Sequence, residues 1–462
     1  MNLHRRVMLA VALVAIAVRV PGVYTQAFWQ DEVASARILN EPTFGAMLAR
    51  VARTESTPPL WYALGWLLRW AGTPLQDVRL LSVAAGALLA ALVVDVARRV
   101  VPLSLATVAA LFVALGGQLV GHGQELRAYE LLALFSLLFA RCLLAEVDAP
   151  SKRRELVLGA SVATGGLTHY FFAFTVLAAL AWLWLDRGAR PARRRATIAI
   201  LAGGSLAAAW GPLLLQQYHQ ARFWWIGAFR LRTVVAVPAR LFTSSYANTT
   251  AGIVLSVAAL LLVAAGALRL GRVSAAGRLI AVLALGPLAE AAAVWAGGVR
   301  IFALRNLIGI APFVAVAAVA AVAAVPRRAA VALATGAVLF LLVPLTPLSR
   351  DRGTPPYDAM ARELVAEGWT PSEPVAVFGD FFPYRAPLEW YLPHQPVLDA
   401  SRLLKGVCPT VFVIRGHDVD RLRLRRPLEG DPQLRGATFL SNPADRSPCV
   451  RPITTGHLAA LA

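Results

Sequence analysis

Asp31 and Glu32 are adjacent carboxylates that close the run Phe28-Trp29-Gln30-Asp31-Glu32, directly after a long apolar stretch. A carboxylate near hydrocarbon is costly unless it is solvated or used. One reading makes the pair first-turn acids on the positive end of a helix dipole. The other makes them a general base or ligands for a divalent metal. Further polar residues fall between apolar runs: Glu55 before Pro58-Pro59, then His122, Gln124, Glu125, Arg127 and Tyr129, then His169 and Tyr170, and later Glu290, Arg300 and Arg305. Arginines in such a set offer forked donors that match phosphate oxygens, whereas an isolated arginine beside a membrane ordinarily snorkels to the headgroups. Arg127 and Arg305 stand beside turns, which favours the phosphate role for these two. His122 and His169 each stand alone, a pattern that favours structural work over metal ligation. The sequence carries no phosphate-binding Gly-x-x-x-x-Gly-Lys-Ser/Thr loop, no Gly-x-Gly-x-x-Gly opening a helix and no His-Glu-x-x-His, so nucleotide and zinc-protease chemistry have no support.

The elements that must position these groups follow from composition. Apolar residues fill 58% of 462 positions and charged ones 15%, a balance that suits a bilayer rather than water. A crossing takes about 20 apolar residues. Eleven are predicted, at 7–24, 78–97, 101–119, 128–146, 155–168, 171–185, 196–216, 249–268, 279–298, 303–325 and 329–348. The first, behind Arg5 and Arg6, reads as a retained helix rather than a cleaved signal. The net charge of +19 sits in short basic clusters between apolar runs, which orient a membrane protein and give no footprint for nucleic acid. The clusters are Arg5/Arg6, Arg98/Arg99, Lys152/Arg153/Arg154, Arg187 to Arg195, Arg269/Arg272/Arg278 and Arg327/Arg328; all lie inside at once only if the apolar run 155–185 crosses twice, turning near Gly165, Gly166, Thr168 and His169.

The expected architecture is therefore an all-α polytopic membrane protein of about 11 transmembrane helices, with its N-terminus cytoplasmic. Outer-face juxtamembrane helices at 31–51 and 58–70 carry Trp61, Tyr62, Trp66 and Trp70 at the interface, and a second interfacial element at 217–248 carries Arg222, Phe223, Trp224 and Trp225. Residues 1–349 form this membrane domain. Residues 350–462, with 14 basic against 13 acidic side chains and strand-like runs at 375–378, 411–414 and 437–440, read as a small C-terminal α/β extracytoplasmic domain. Cys408 and Cys449 lie in it and would pair in an oxidising compartment. On this topology the polar groups gather in one cavity at the outer leaflet.

Trp29-Gln30-Asp31-Glu32 after the first helix, Thr57-Pro58-Pro59-Leu60-Trp61-Tyr62 at the second surface helix, Gln124-Glu125-Leu126-Arg127-Ala128-Tyr129 after the third span and Arg305-Asn306-Leu307 through Pro312 together resemble the type C glycosyltransferases. Within them the likeness is to the superfamily of the protein O-mannosyltransferases and the lipid A aminoarabinose transferase, over about residues 1–325. Glu55-Ser56-Thr57 replaces the histidine that many members place before Pro-Pro, and Asn306 stands where tyrosine is usual. The resemblance implies a transferase that takes a sugar from a polyprenyl-phosphate donor and passes it, with inversion, to a glycan, glycolipid or protein acceptor. It implies Asp31 as the catalytic carboxylate with Glu32 as its partner, and Arg127 and Arg305 as ligands of the carrier phosphate. Glu55, Glu125, Tyr129, His169 and Arg300 complete the expected substrate site. No cofactor is required on this reading, and a divalent metal beside the carboxylates is compatible with it. A lipid or solute transporter is the alternative, and it calls for charges near the bilayer midplane and broken helices in related halves.

Overall fold

The computed structural model describes residues 2–219, 226–243 and 250–323. Beyond them it describes positions 325, 326, 329, 336, 358, 361, 362 and 365 and the runs 375–378, 385–392, 397–399 and 411–414. Of the expected crossing at 329–348 only positions 329 and 336 are described, and the aromatic run Arg222 to Trp225, the strand-like run 437–440 and the Cys408/Cys449 pair lie outside the described residues.

The chain divides into two compact units, Met1–Thr25 with Ala36–Arg350, and Gln26–Ser35 with Asp351–Ala462. The first is helical. Helix α1 covers Leu3–Thr25, and helix α2, Gln30–Leu39, straddles the division. Helix α3, Phe44–Thr54, starts where Thr43 caps it by accepting from the Ala46 N–H at 3.2 Å. The predicted helix 31–51 is thus two helices. The break falls at Asn40 to Thr43, where Pro42 lacks an N–H and Thr43 favours a cap over a helix interior. Helix α4, Leu60–Trp70, begins after the proline pair.

A 3-10 turn at Gln76–Arg79 leads into α5, Leu80–Ala97. The predicted span 101–119 is broken at Gly116 into α6, Leu103–Leu115, and α7, Gly117–His122. Helices α8, Tyr129–Asp148, α9, Lys152–Thr168, and α10, Phe172–Leu185, follow, so the long apolar run does turn, at His169 to Phe171. Then come α11, Arg193–Ala208, and α12, Gly211–His219, bent by 57° from each other. Helices α13, Leu231–Arg240, α14, Thr250–Val273, and α15, Ala275–Ala296, precede a 3-10 turn at Leu304–Ile310 and α16, Ala311–Val322.

Among the described residues five helices are long and apolar enough to cross a membrane, and the bent α11/α12 pair would make a sixth. Leu13, Leu88, Leu201 and Leu261 are 55–65% exposed on such helices. Water would not tolerate so many exposed leucines, whereas hydrocarbon does. The interior is built from small and branched residues such as Leu89, Val93, Ala109, Val113, Leu283 and Val316. Close crossings use glycine: a Cβ on Gly266 would collide with the Ala317 carbonyl of α16, and one on Gly203 with the Gly159 carbonyl of α9.

In the second unit, strands β1, Val375–Phe378, β2, Val397–Asp399, and β3, Val411–Ile414, form a parallel sheet in the order β2-β1-β3. Helix α17, Arg385–Tyr391, lies between β1 and β2 in sequence. The segment 26–35 joins this unit through Phe28, whose N–H donates to Tyr391 Oη at 2.7 Å and whose ring meets Trp390 edge-on at 6.3 Å.

Candidate functional site

Four side chains of the first unit surround Tyr129, the first residue of α8, which is 3% exposed. Arg127 lies on the connection from α7, with its guanidinium 5.8 Å from the Tyr129 ring centre. Arg305 comes from the 3-10 turn before α16 and stands 5.9 Å from the same centre. His122, the last residue of α7, meets the Tyr129 ring tilted by 52° at 4.7 Å, and His169, at the α9/α10 turn, meets it tilted by 48° at 5.8 Å. Glu55, at the end of α3, accepts from Arg127 Nη1 at 3.1 Å, and the same nitrogen donates to Tyr62 Oη of α4 at 3.2 Å. Thr57 completes the group with a hydroxyl contact to Tyr62 at 3.4 Å.

The connection 123–128 is held from both sides. Ser82 Oγ of α5 donates to the carbonyls of Glu125 and Arg127, at 2.9 and 3.3 Å, and Gln124 Nε2 donates to the Val18 carbonyl of α1 at 3.0 Å. Beneath it lies a fully buried ion pair, Arg19 Nη2 to Glu130 Oε1 at 3.2 Å, in which Arg19 also donates to the Ala114 and Val113 carbonyls at 2.8 and 3.3 Å. Gly86 and Gly123 are glycines because a Cβ at either would strike the Arg19 side chain. Sequence reasoning missed this pair. The signal was there, since an arginine in the middle of the first apolar run must have a partner or a water path.

Electrostatics fix the protonation of the cluster. Burial first, then the positive charges of Arg127 and Arg305, lower His169 from the usual 6.5 to about 3. His169 is therefore neutral near pH 7. Its Nδ1 accepts the Phe171 N–H at 3.2 Å, so the ring proton belongs on Nε2, a neutral donor between two arginines. Burial also raises Tyr62 well above its usual range, against the opposing charge of Arg127, and keeps it protonated. His122 does not stand alone, because its Nδ1 lies 2.9 Å from Glu125 Oε2.

Of the residues singled out from sequence, Glu55, Arg127, Tyr129, His169 and Arg305 thus come together, and Glu125 joins them through His122. Arg300 is exposed on the connection after α15, and Glu290 is half-buried on α15 itself. Trp61 and Tyr62, expected at a membrane interface, are both 1% exposed, and Tyr62 belongs to the cluster, while Trp70 is 77% exposed. Asp31 and Glu32 belong to the second unit. There Glu32 is buried, and its Oε2 accepts the Trp29 N–H at 3.4 Å, the backward contact of a capping box at the start of α2. Asp31 is half-buried, and its carbonyl accepts from Ser35 Oγ at 3.0 Å. No three His, Cys, Asp or Glu side chains gather as a metal-ligand set among the described residues.

Residues 56–214 match the family model described as dolichyl-phosphate-mannose-protein mannosyltransferase. Comparison with curated proteins finds no match. Among solved structures, the fold is similar to the archaeal oligosaccharyltransferase AglB from Archaeoglobus fulgidus in complex with an inhibitory peptide and a dolichol-phosphate, with TM-score 0.54, 12% identity, and 85% of this chain and 64% of that one covered. It is also similar to the Archaeoglobus fulgidus oligosaccharyltransferase in complex with Zn and sulfate, with TM-score 0.52, 15% identity, and 84% and 61% covered. The chain spans less than two thirds of the length of either. The family match and the fold bear out the resemblance to the type C glycosyltransferases read from the sequence.

Proposed function

We propose that this protein is a membrane glycosyltransferase that moves a sugar from a polyprenyl-phosphate donor to an acceptor hydroxyl with inversion at the anomeric carbon. The observation that carries the reading is the placement of Arg127 and Arg305 at 5.8 and 5.9 Å from the one Tyr129 ring, with neutral His169 beside it. Two cations within 6 Å of one ring repel each other. A phosphate anion between them relieves that repulsion and accepts charge-assisted hydrogen bonds from both. Glu55 and Tyr62 hold Arg127 in place before the donor arrives, so little side-chain order is lost on binding. The neutral Nε2–H of His169 adds a donor without adding a third positive charge. AglB, similar in fold, is a structure that contains a dolichol-phosphate, and this accords with a phosphate-terminated lipid as ligand.

In the proposed reaction the acceptor oxygen attacks the anomeric carbon from the face opposite the phosphate. The bond from that carbon to the phosphate oxygen breaks, and its electron pair leaves with the polyprenyl phosphate. Asp31 takes the acceptor's proton, and Glu32 orients the segment that carries it. Phosphate is a good leaving group, so the reaction needs a base more than an acid, unlike hydrolysis by a pair of carboxylates. One direct displacement inverts the centre. We also propose eleven crossings, a cytoplasmic N-terminus, a plasma or inner membrane location, and a separate extracytoplasmic domain from residue 350, because that arrangement keeps every basic cluster on one side. The test is a strain lacking the protein. Its lipid extract, read by mass spectrometry, should accumulate one polyprenyl-phosphate sugar, cleared by the parental gene and not by an Asp31→Asn version. An unchanged set of lipid-linked sugars would reject the function.

A further inference from the structure

At the far end of α8 from Tyr129 lies an open cavity of about 500 Å³, lined by Arg141, Arg153, Arg154, Ser151, Ala145 and Val157 among others. Helix α8 has 20 residues, so this end stands about 30 Å from the cluster described above. Three arginines line the cavity, and no carboxylate does so among the described residues. Two of them are barely neutralised by the protein. Arg153 is exposed and makes no ion pair among the described residues, and the Arg154 guanidinium donates to the Ala149 carbonyl rather than to a carboxylate. Arg141 spends its Nε on Asp95 at 2.7 Å, and its terminal nitrogens have no protein partner among the described residues.

The local backbone makes the charge more anomalous. Lys152, Arg153 and Arg154 occupy the first turn of the 17-residue helix α9, behind the Ser151 cap, and the acid of that turn, Glu155, is taken up by Lys152 and Arg195. Cations belong at the other end, because unsatisfied N–H groups already make a helix N-terminus positive. Just beyond the basic turn, Leu156 is 75% and Val157 48% exposed, an apolar strip that runs away from the arginines along α9. A positive cavity that opens onto exposed apolar side chains matches one chemistry: a phosphate group attached to hydrocarbon. We propose that this cavity binds a phosphate-bearing anion, presented by an anionic phospholipid of the leaflet opposite the Tyr129 cluster. Its headgroup sits among Arg141, Arg153 and Arg154, and an acyl chain follows Leu156 and Val157.

Native mass spectrometry of the full chain, released from micelles after incubation with equal amounts of phosphatidylglycerol and phosphatidylcholine, tests this. Phosphatidylglycerol adducts should dominate. In the Arg153→Gln/Arg154→Gln variant they should fall about tenfold, the scale of one lost charge-assisted hydrogen bond. Arg187→Gln/Arg190→Gln removes two exposed arginines from the connection between α10 and α11. The positive-inside reading puts that connection on the same side, and this control should keep the parental adducts. Equal retention of the two lipids, or equal loss in both variants, would overturn the site, the second by showing only bulk surface charge. Inorganic phosphate at millimolar concentration is the remaining arm. Adducts that survive it support the lipid, and their displacement would assign the cavity to a free anion instead.

Discussion

Replacing Arg127 with Met removes the guanidinium and keeps much of the side chain's volume. Two hydrogen bonds from Nη1 are lost, to Glu55 Oε2 at 3.1 Å and to Tyr62 Oη at 3.2 Å. Bonds to a charged group are each worth about 1.5–3 kcal/mol. The larger cost is the Glu55 carboxylate, 5% exposed and stripped of its cation. Breaking a buried pair from one side costs roughly 3–5 kcal/mol, because the remaining charge stays desolvated. Glu55→Gln in the same chain removes that charge, and the double variant should recover about 1–3 kcal/mol of the loss. Donor recognition should not recover. Loss of a charge-assisted bond to phosphate raises the donor KM about 10- to 150-fold in both the single and the double variant. Thermal unfolding in detergent measures the first quantity and steady-state transfer the second. A double variant as unstable as the single would show that the pair is not coupled, and a parental donor KM in Arg127→Met would remove the phosphate role.

Asp31→Asn should lower turnover about 100- to 10,000-fold with donor binding intact, the usual yield of a general base, and Glu32→Gln should do less; parental transfer by a normally inserted Asp31→Asn protein would end the mechanism. His169 gives a pH signature. Its folded value is depressed to about 3 from 6.5, so between these values only the unfolded chain takes up the proton. The His169 contribution to stability should therefore be flat above pH 6.5 and fall by about 1.4 kcal/mol per unit from there toward pH 3; unfolding temperatures of His169→Gln should lack that component, and an identical pH slope in both proteins would contradict the buried neutral imidazole. For topology, an impermeant thiol reagent should label a cysteine placed at exposed Ala71 in intact cells and miss one placed at exposed Arg153; the reverse pattern would invert the site's side of the membrane.

The sequence by itself determined the bilayer as solvent, most helix positions and the turn at His169, because these depend on local composition: runs of about 20 apolar residues, interrupted by glycine and polar groups, have few other solutions. It also supplied Glu55, Arg127, Tyr129, His169 and Arg305, since polar residues at the ends of apolar runs stand out one by one. Only the tertiary structure decided how they combine. Tyr129 as the shared centre, Tyr62 as a buried partner of Arg127 rather than an interface aromatic, and Arg19 paired with Glu130 across 111 positions all depend on which helices cross, and crossing is set by small-residue contacts with no local signature. The same holds for the breaks at Gly116 and between α2 and α3, where caps and close packing outweigh apolar periodicity. A charge inside an apolar run announces that it needs a partner; the partner's identity is fixed by packing, because the desolvated arginine accepts whichever carboxylate and carbonyls the fold brings within 3 Å or so.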